Sequence, residues 1–307
     1  MTDPVEPEPH RGRRSAGGSA AATSAPDGQA RGAESTGARR VRGRRRRLDL
    51  VLDLIIDHGH MRVEDLVTEL GVSPATVRRD LDALADQQLV IRSHGGASAN
   101  PGARSLPMRY RASRNAQQKE LIAARAVDLV RPGSVIGLNG GTTTTAVAHE
   151  LASRQEFRDA ERPTVLVTNA VNIAQELAVR RHLQLVVTGG VVRESSYELV
   201  GSWAEQLLAQ IRIDTMFVGI NAVNAIDGAS THDESEANIS ARLIDRSSCV
   251  VLVADSSKVG ADAFARIGPV DAIDELVTDD AADPDALQAL REAGVTVHVV
   301  ETTGRDR

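Results

Sequence analysis

Apolar positions near the start of the chain fall at helical spacing. Leu48, Val51, Leu52, Ile55 and Ile56 repeat on one face and predict a helix that Gly59 ends. A second, shorter helix is predicted over Val63–Leu70, with Leu66, Val67 and Leu70 on one face and Gly71 in the C′ position. Ser73 and Pro74 read as the N-cap and first residue of a third helix reaching about Gln87. Within it Val77, Leu81 and Leu84 point inward, so Ala75 and Arg79 point outward, flanked by Thr76 and Arg78. Asp82 and Asp86 lie toward the far end of that outer face, so phosphates are met by its N-terminal half, led by Ser73. Residues 89–97 then read as a short strand, a basic stretch and a glycine turn, a β-wing on which Arg92 and His94 can meet a backbone. Two helices, a tight turn and an arginine-bearing third helix form a helix-turn-helix layout; a small structural bundle with surface arginines fits the same spacing.

From about residue 127 the pattern changes to apolar runs alternating with amphipathic stretches. Strands are predicted at 134–138, 164–168, 183–188, 214–220, 249–254, 276–278 and 295–300. Helices are predicted around 144–151, 170–180, 204–211, 236–247 and 284–293. The fold class is therefore α/β: an N-terminal winged helix-turn-helix and a C-terminal α/β domain with a mostly parallel sheet. Ligands of such sheets sit beyond the carboxyl ends of the strands.

Composition narrows the functions. The net charge of −6 conceals an uneven distribution, because residues 1–47 carry 11 arginines against five acids. Residues 1–38 are Pro, Gly, Ser, Ala and Arg with almost no large apolar side chain, and read as disordered. The chain thus divides into an Arg-rich tail at 1–45, the DNA-binding module at 46–97, a linker at 98–115 and the α/β domain at 116–307. No apolar run is long enough to span a membrane, and no secretory leader is evident, so a cytoplasmic protein is expected. Cys249, the single cysteine, excludes a disulfide framework and a Cys-rich zinc site, and reads as a buried small hydrophobe. Six aromatic residues in 307 argue against a stacking platform for single-stranded nucleic acid. Neither a metal nor a cofactor is expected.

The predicted strand ends carry polar turns. The first is Asn139-Gly140-Gly141-Thr142-Thr143-Thr144, where glycines and a helix N-terminus suit an anion, although ordinary capping explains it equally well. It lacks the lysine of a P-loop and the spacing of a dinucleotide fingerprint. Further turns hold Asn169, then Gly189 and Gly190, then the segment around Glu234, and last Asp255 to Lys258. Of 36 basic residues only Lys119 and Lys258 are lysines, which points to a need for a compact ammonium, although chance retention explains either one equally well. Asp255 is spaced to orient Lys258 or to bind a sugar hydroxyl, and with Glu234 the pair also permits an acid–base set.

The segment GVSPATVRRDLDALADQQLVIRSHGGA resembles the DNA-binding module of DeoR-type bacterial repressors over about residues 46–97. Its Ser73, Thr76, Arg78-Arg79-Asp80 and His94-Gly95-Gly96 match that family's pattern. Over about 106–280 the blocks LNGGTTTTAVAHEL, VTNAVNIAQEL, VTGGVVRESSYELVG, DTMFVGINAVN and VVLVADSSKVGADAFARI are similar, in order, to the DeoR-type effector domain. That domain is related in fold to sugar-phosphate isomerases. The resemblance implies that the Gly140–Thr144 loop (140–144) holds a phosphate, that Asp255 and Lys258 face the ligand, and that Arg111, Arg114, Asn115 and Lys119 are the family's basic and Asn positions before the domain's first helix. Many members carry an acidic or Ser-containing turn where this chain has Asn139-Gly140, which bears on which sugar is read.

The leading expectation is a DNA-binding regulator that represses carbohydrate genes, binds a double-stranded operator as a homo-oligomer and releases it when a phosphorylated sugar binds. Two other classes stay open at this point: an isomerase-like enzyme of sugar phosphates with an accessory DNA-binding module, and a structural nucleoid-type protein acting through its arginine tail.

Overall fold

In the computed structural model the described residues are 43–100 and 108–302. The predicted tail lies outside them except for its last three residues, and of these Arg44 and Arg45 already belong to the first helix.

The N-terminal module consists of α1 (Arg44–His58), β1 (His60–Arg62), α2 (Val63–Leu70), α3 (Pro74–Asp86), β2 (Val90–Ser93) and β3 (Gly96–Ala99). Its core is the set the spacing selects: Val51, Leu52, Ile55, Leu66, Val77, Leu81 and Leu84 are fully or almost fully buried. The wing is a three-stranded sheet in the order β1-β3-β2; the short β1 carries no alternation long enough to be read from sequence. A β-carbon at Gly96 would overlap the Met61 carbonyl, so the β1–β3 pairing needs glycine there. The arginine run does not end as a solvated tail. Arg47 Nε and Nη2 donate to the two oxygens of Asp80 at 2.5 and 3.2 Å, clamping α1 to α3.

A short helix, α4 (Met108–Ser113), leads to the second module. There α5 (Ala116–Val127), β4 (Val135–Leu138), α6 (Thr142–Ser153), α7 (Gln155–Arg158), β5 (Thr164–Thr168), α8 (Val171–Leu177) and β6 (Leu183–Val187) come first. A ribbon of β7 (Val191–Val192) and β8 (Leu199–Val200) precedes α9 (Ser202–Leu208) and β9 (Ile213–Val218). Then follow β10 (Ala222–Asn224), β11 (Gly228–Thr231), α10 (Glu234–Asp245), β12 (Ser247–Val253), β13 (Ala265–Gly268), β14 (Glu275–Asp279), α11 (Pro284–Glu292) and β15 (Thr296–Val300).

The seven predicted strands all belong to one seven-stranded sheet in the order β15-β14-β12-β9-β4-β5-β6, with every pairing parallel. Successive residues face opposite layers. Met216, Val218, Val250 and Leu252 pack with Leu208, Leu243 and Leu290 on one side. Phe217, Val251 and Val253 pack with Ile122, Val147, Leu151 and Ile173 on the other. Helices thus cover both faces. Cys249 is half-buried rather than buried, and burial pushes its thiol up to about 11, which leaves it unreactive. Among the described residues no helix is long and apolar enough to cross a membrane.

From β4 the chain first builds outward through β5 and β6, then returns to place β9 on the other flank of β4. The strand order reverses between β4 and β9, and a crevice opens at the carboxyl ends of a parallel sheet at such a point.

The Arg47–Asp80 clamp is largely enclosed, with side chains 15% and 2% exposed. Truncating Arg47 strands a buried carboxylate, whereas truncating Asp80 leaves a long cation that can turn to water. Arg47→Ala should therefore destabilise the N-terminal module by about 2–3 kcal/mol, between the values for exposed and buried pairs. Asp80→Ala should cost less. Urea unfolding followed by helical circular dichroism checks both, and the reverse ranking would count against the clamp.

Candidate functional site

Two surfaces emerge, one on each module. On the first, Ser73 caps α3 as its spacing predicts: its Oγ accepts from the Thr76 amide at 3.3 Å, with Pro74 following in the first turn. Ser73, Ala75, Arg78 and Arg79 are exposed, Thr76 is half-buried, and His94 is exposed in the wing turn. The Ser73, Ala75, Thr76, Arg78 and Arg79 positions all lie at the start of α3, whereas His94 lies apart from them in the β2–β3 turn. Arg92 is exposed on the wing and is also tied to its surroundings. Its Nε pairs with Asp82 at 3.0 Å and its Nη1 donates to the Gly96 carbonyl at 2.9 Å, so it braces the wing against α3. The same pair accounts for Asp82, an acid on a face that would meet phosphates.

The second surface is the crevice between β4 and β9, a cavity of about 440 Å³. The Asn139 carboxamide bridges the two strand ends: Oδ1 accepts from the Gly219 amide at 2.7 Å, and Nδ2 donates to the Gly219 carbonyl at 2.9 Å and to Ser240 Oγ at 3.1 Å. Gly140, Gly141, Thr142 and Thr143 line the cavity as the start of α6. Gly141 has φ +149°, and a β-carbon on Gly140 would overlap the Glu198 side chain. Asp255 and Lys258 line it from the end of β12, and Asn221, Thr231, His232 and Glu236 from the segment after β9.

The fourth wall is the linker. Arg111 and Arg114 of the segment leading out of the DNA-binding module line the cavity, with Asn115 and Lys119 beside them. Asn115 Nδ2 donates to Asp255 Oδ1 at 3.1 Å. Lys119 Nζ donates to the carbonyl oxygens of Arg111, at 2.7 Å, and Arg114. Arg111 Nη2 donates to the Ser195 carbonyl at 3.2 Å, while its Nε is buried with no hydrogen-bond partner. One residue earlier, Tyr110 is 4% exposed in the core of the DNA-binding module and its hydroxyl donates to Gln87 Oε1 at 3.3 Å.

The cavity's ions are strained by burial. Burial brings Lys119 down to about 8, with the Asp255 carboxylate opposing. Burial also lowers Lys258 and Arg111. For Asp255 burial acts upward, but the hydrogen bond from Ser257 and the charges of Lys258 and Lys119 outweigh it and hold the carboxyl below its ordinary range. Glu198, 4% exposed, is pushed up to about 7 by burial and then by neighbouring Glu236. Concentrated perturbation of this kind in a cleft makes the cavity the candidate functional site.

Of the effector residues anticipated from sequence, Asn139, Gly140, Gly141, Thr142, Thr143, Asp255, Lys258, Arg111 and Lys119 line this cavity. Five do not. Thr144 turns its hydroxyl back to the Gly141 carbonyl at 3.1 Å. Asn169 stands behind the wall, donating to Glu198 Oε2 at 2.9 Å. Gly189 and Gly190, with φ +73° and +124°, shape the turn from β6 into the β7–β8 ribbon. Glu234 is exposed at the start of α10, and Glu236, two residues on, faces the cavity instead. Glu198 and Glu236 carried no signal in the sequence, since one lies in an irregular polar stretch and the other depends on helix phase.

A winged helix-turn-helix joined through its linker to a polar cavity in a parallel α/β sheet defines a ligand-responsive DNA-binding regulator. The chain belongs to the DeoR family of transcriptional regulators: residues 47–101 match the DeoR-like helix-turn-helix domain and residues 114–280 the DeoR C-terminal sensor domain. It is 30% identical to the glycerol-3-phosphate regulon repressor of Escherichia coli strain K12, over 79% of this chain and 93% of that protein. It is 36% identical to the HTH-type transcriptional regulator GlpR of Haloferax volcanii, over 80% and 94%. Ribose 5-phosphate isomerase A of Methanocaldococcus jannaschii aligns with 47% of this chain and 54% of its own at 22% identity and a TM-score of 0.35. Relatives matching both modules are regulators, which decides against the enzyme and the structural nucleoid protein.

Between pH 4.5 and about 7 the folded chain keeps a proton on Glu198 that the unfolded chain has released. Stability from this group is complete below that window and lost as pH rises through it. Glu198→Gln removes the effect. The stability of Glu198→Gln relative to the parent should therefore increase from pH 5 to pH 8, by at most about 3 kcal/mol. Thermal unfolding of both proteins across that range measures it, and a difference independent of pH would contradict the assignment.

Proposed function

We propose that the chain represses carbohydrate-metabolism genes in the cytoplasm by binding operator DNA as a homo-oligomer, and that a phosphorylated sugar in the cavity releases it. The observation that carries this reading is the adjacency of Tyr110 and Arg111. One packs in the DNA-binding core and the next lines the cavity. A ligand that draws on Arg111 therefore acts on the backbone that anchors Tyr110.

The chemistry favours a phosphorylated ligand. The free amides at the start of α6 and its dipole suit an anion. Lys258 and Arg111 add positive charge across the cavity. Asn221, Thr231 and the carboxylates supply partners for hydroxyls. The relative named for the glycerol-3-phosphate regulon supports a phosphorylated polyol as the class. On the other surface Ser73, Ala75, Thr76, Arg78 and Arg79 meet the major groove, His94 and the wing meet the backbone, and two copies read two half-sites.

Two variants separate the surfaces. Lys258→Ala loses a charge-assisted hydrogen bond, so sugar phosphate should bind about ten- to a hundredfold more weakly while operator affinity without ligand is retained. Arg79→Ala should lose about 1–3 kcal/mol of specific DNA binding and keep ligand affinity. Calorimetry with sugar phosphates and gel shifts on operator DNA selected by the parent protein read both. A parent that binds no sugar phosphate, or a Lys258→Ala protein that loses DNA binding alone, would overturn the reading.

A further inference from the structure

The cavity collects cations from three directions, yet it also encloses a carboxyl at its most anion-seeking point. Glu198 lies against Gly140, at the start of the loop that opens α6, and only a glycine there leaves it room. Its placement is fixed from the backbone outward. The Leu199 amide donates to the Asn169 carbonyl at 2.7 Å, and the Arg193 amide donates to the Glu198 carbonyl at 2.8 Å. Asn169 Nδ2 then holds Oε2. Oε1 has no hydrogen-bond donor among the described residues.

The other two acids lining the cavity are answered by the protein. Glu236 receives Arg193 Nε on one oxygen and Thr231 Oγ1 on the other, each at 3.3 Å. Asp255 takes Asn115 and Ser257 on Oδ1 and sits within reach of the charges of Lys119 and Lys258. The Glu198 carboxyl accepts from Asn169 alone among the described residues; Glu236 is its close electrostatic neighbour, and the charges of Arg111 and Arg193 oppose that push without donating to it. A carboxyl this enclosed costs stability unless its remaining oxygen is given a donor. No described side chain donates to Oε1, and Glu198 lines the cavity, so this oxygen is free to accept from whatever the cavity holds.

Resting on the phosphorylated-sugar reading above, we infer that Glu198 determines which effector is accepted: its Oε1 accepts a hydrogen bond from a hydroxyl of the effector's carbon skeleton next to the phosphate held by the Gly140–Thr143 turn (140–143). The loop binds the phosphate that all candidate ligands share, and Glu198 reads what is attached to it. Inorganic phosphate satisfies the loop alone, whereas a phosphorylated polyol satisfies both. A hydroxyl offers a hydrogen to Oε1 and an ionised phosphate oxygen offers none, so the same residue orients the ligand with its hydroxyl toward the ribbon.

The experiment titrates full-length parent, Glu198→Ala and Glu198→Gln with inorganic phosphate, glycerol 3-phosphate, ribose 5-phosphate, glucose 6-phosphate and glucosamine 6-phosphate by calorimetry. The parent should prefer at least one sugar or polyol phosphate over inorganic phosphate. Glu198→Ala should weaken that ligand roughly ten- to a hundredfold and leave inorganic phosphate unchanged. Glu198→Gln, which keeps the shape and a carbonyl acceptor, should recover part of the loss. Equal weakening of phosphate and sugar phosphate would make Glu198 a mere support for the loop and overturn the proposal. So would unchanged discrimination, or a loss confined to the amino sugar, which would assign Glu198 to an ammonium. A parent that binds none of the sugar or polyol phosphates would instead overturn the effector reading beneath it.

Discussion

The carboxamide of Asn139 spans the point where the sheet changes direction, and the cavity exists because of it. In a parallel sheet the loops leaving β4 and β9 would separate, since one chain continues to one face and the other elsewhere. Asn139 answers both backbone groups of Gly219 and adds Ser240 from α10. Three elements are thereby fixed at one buried residue. The α6 amides and the Asn221 segment are held at opposite lips of the crevice, with Asp255 and Lys258 arriving from the next strand over. The DeoR-type turns with an acid or serine at this position invite the view that Asn139 reads the ligand. Its hydrogen bonds are instead used within the protein, and reading falls to side chains further out.

The cations of the cavity have a second task. Lys119 Nζ does not simply point at a ligand; it holds the carbonyls of Arg111 and Arg114 and so shapes the linker. That bond is made by a buried ammonium whose affinity for its proton is already reduced to about 8. A phosphate nearby favours the charged form and strengthens the hold, while Asp255 links the same corner to Asn115. Electrostatics of the site and geometry of the linker are one system.

Much of this was legible in the residues. The seven strands of the main sheet read correctly because a strand covered on both faces is a continuous apolar run, and such runs are sharply bounded. The third helix read correctly because Ser73, Pro74 and the Val77-Leu81-Leu84 stripe agree with one another. The rarity of lysine singled out Lys119 and Lys258, which lie in different elements, and the fold brings both to one cavity. What was not legible depends on tertiary phase. The ribbon strands β7 and β8 are two residues each, too short for any period. Glu198 follows a polar stretch, Arg193 to Tyr197, that looks like a surface loop. Glu236 rather than Glu234 faces the cavity because the Asp233 cap sets where α10 starts, a register the residue pattern alone does not show. The pairing of Asp80 and Asp82 was not legible either, since their partners Arg47 and Arg92 are 33 and 10 residues away in sequence.

The direction of signalling follows from where the coupling is placed. A ligand shifts a conformational equilibrium only by the difference in its affinity for the two states. Contacts to β4, β9 and β12 cannot supply that difference, because these strand ends belong to a single sheet packed on both faces. The linker can. Helix α4 has six residues, too few to bend and absorb a displacement, and carries Tyr110 in one core and Arg111 in the other module's cavity. On the reading proposed above, drawing Arg111 toward an anion would displace Tyr110, which bonds Gln87 and packs in the core that supports α3. Arg111 Nε is buried without a hydrogen-bond partner, which leaves it a donor to offer an anion. On that reading the ligand's differential affinity falls on the helix that also carries Tyr110 in the DNA-binding core.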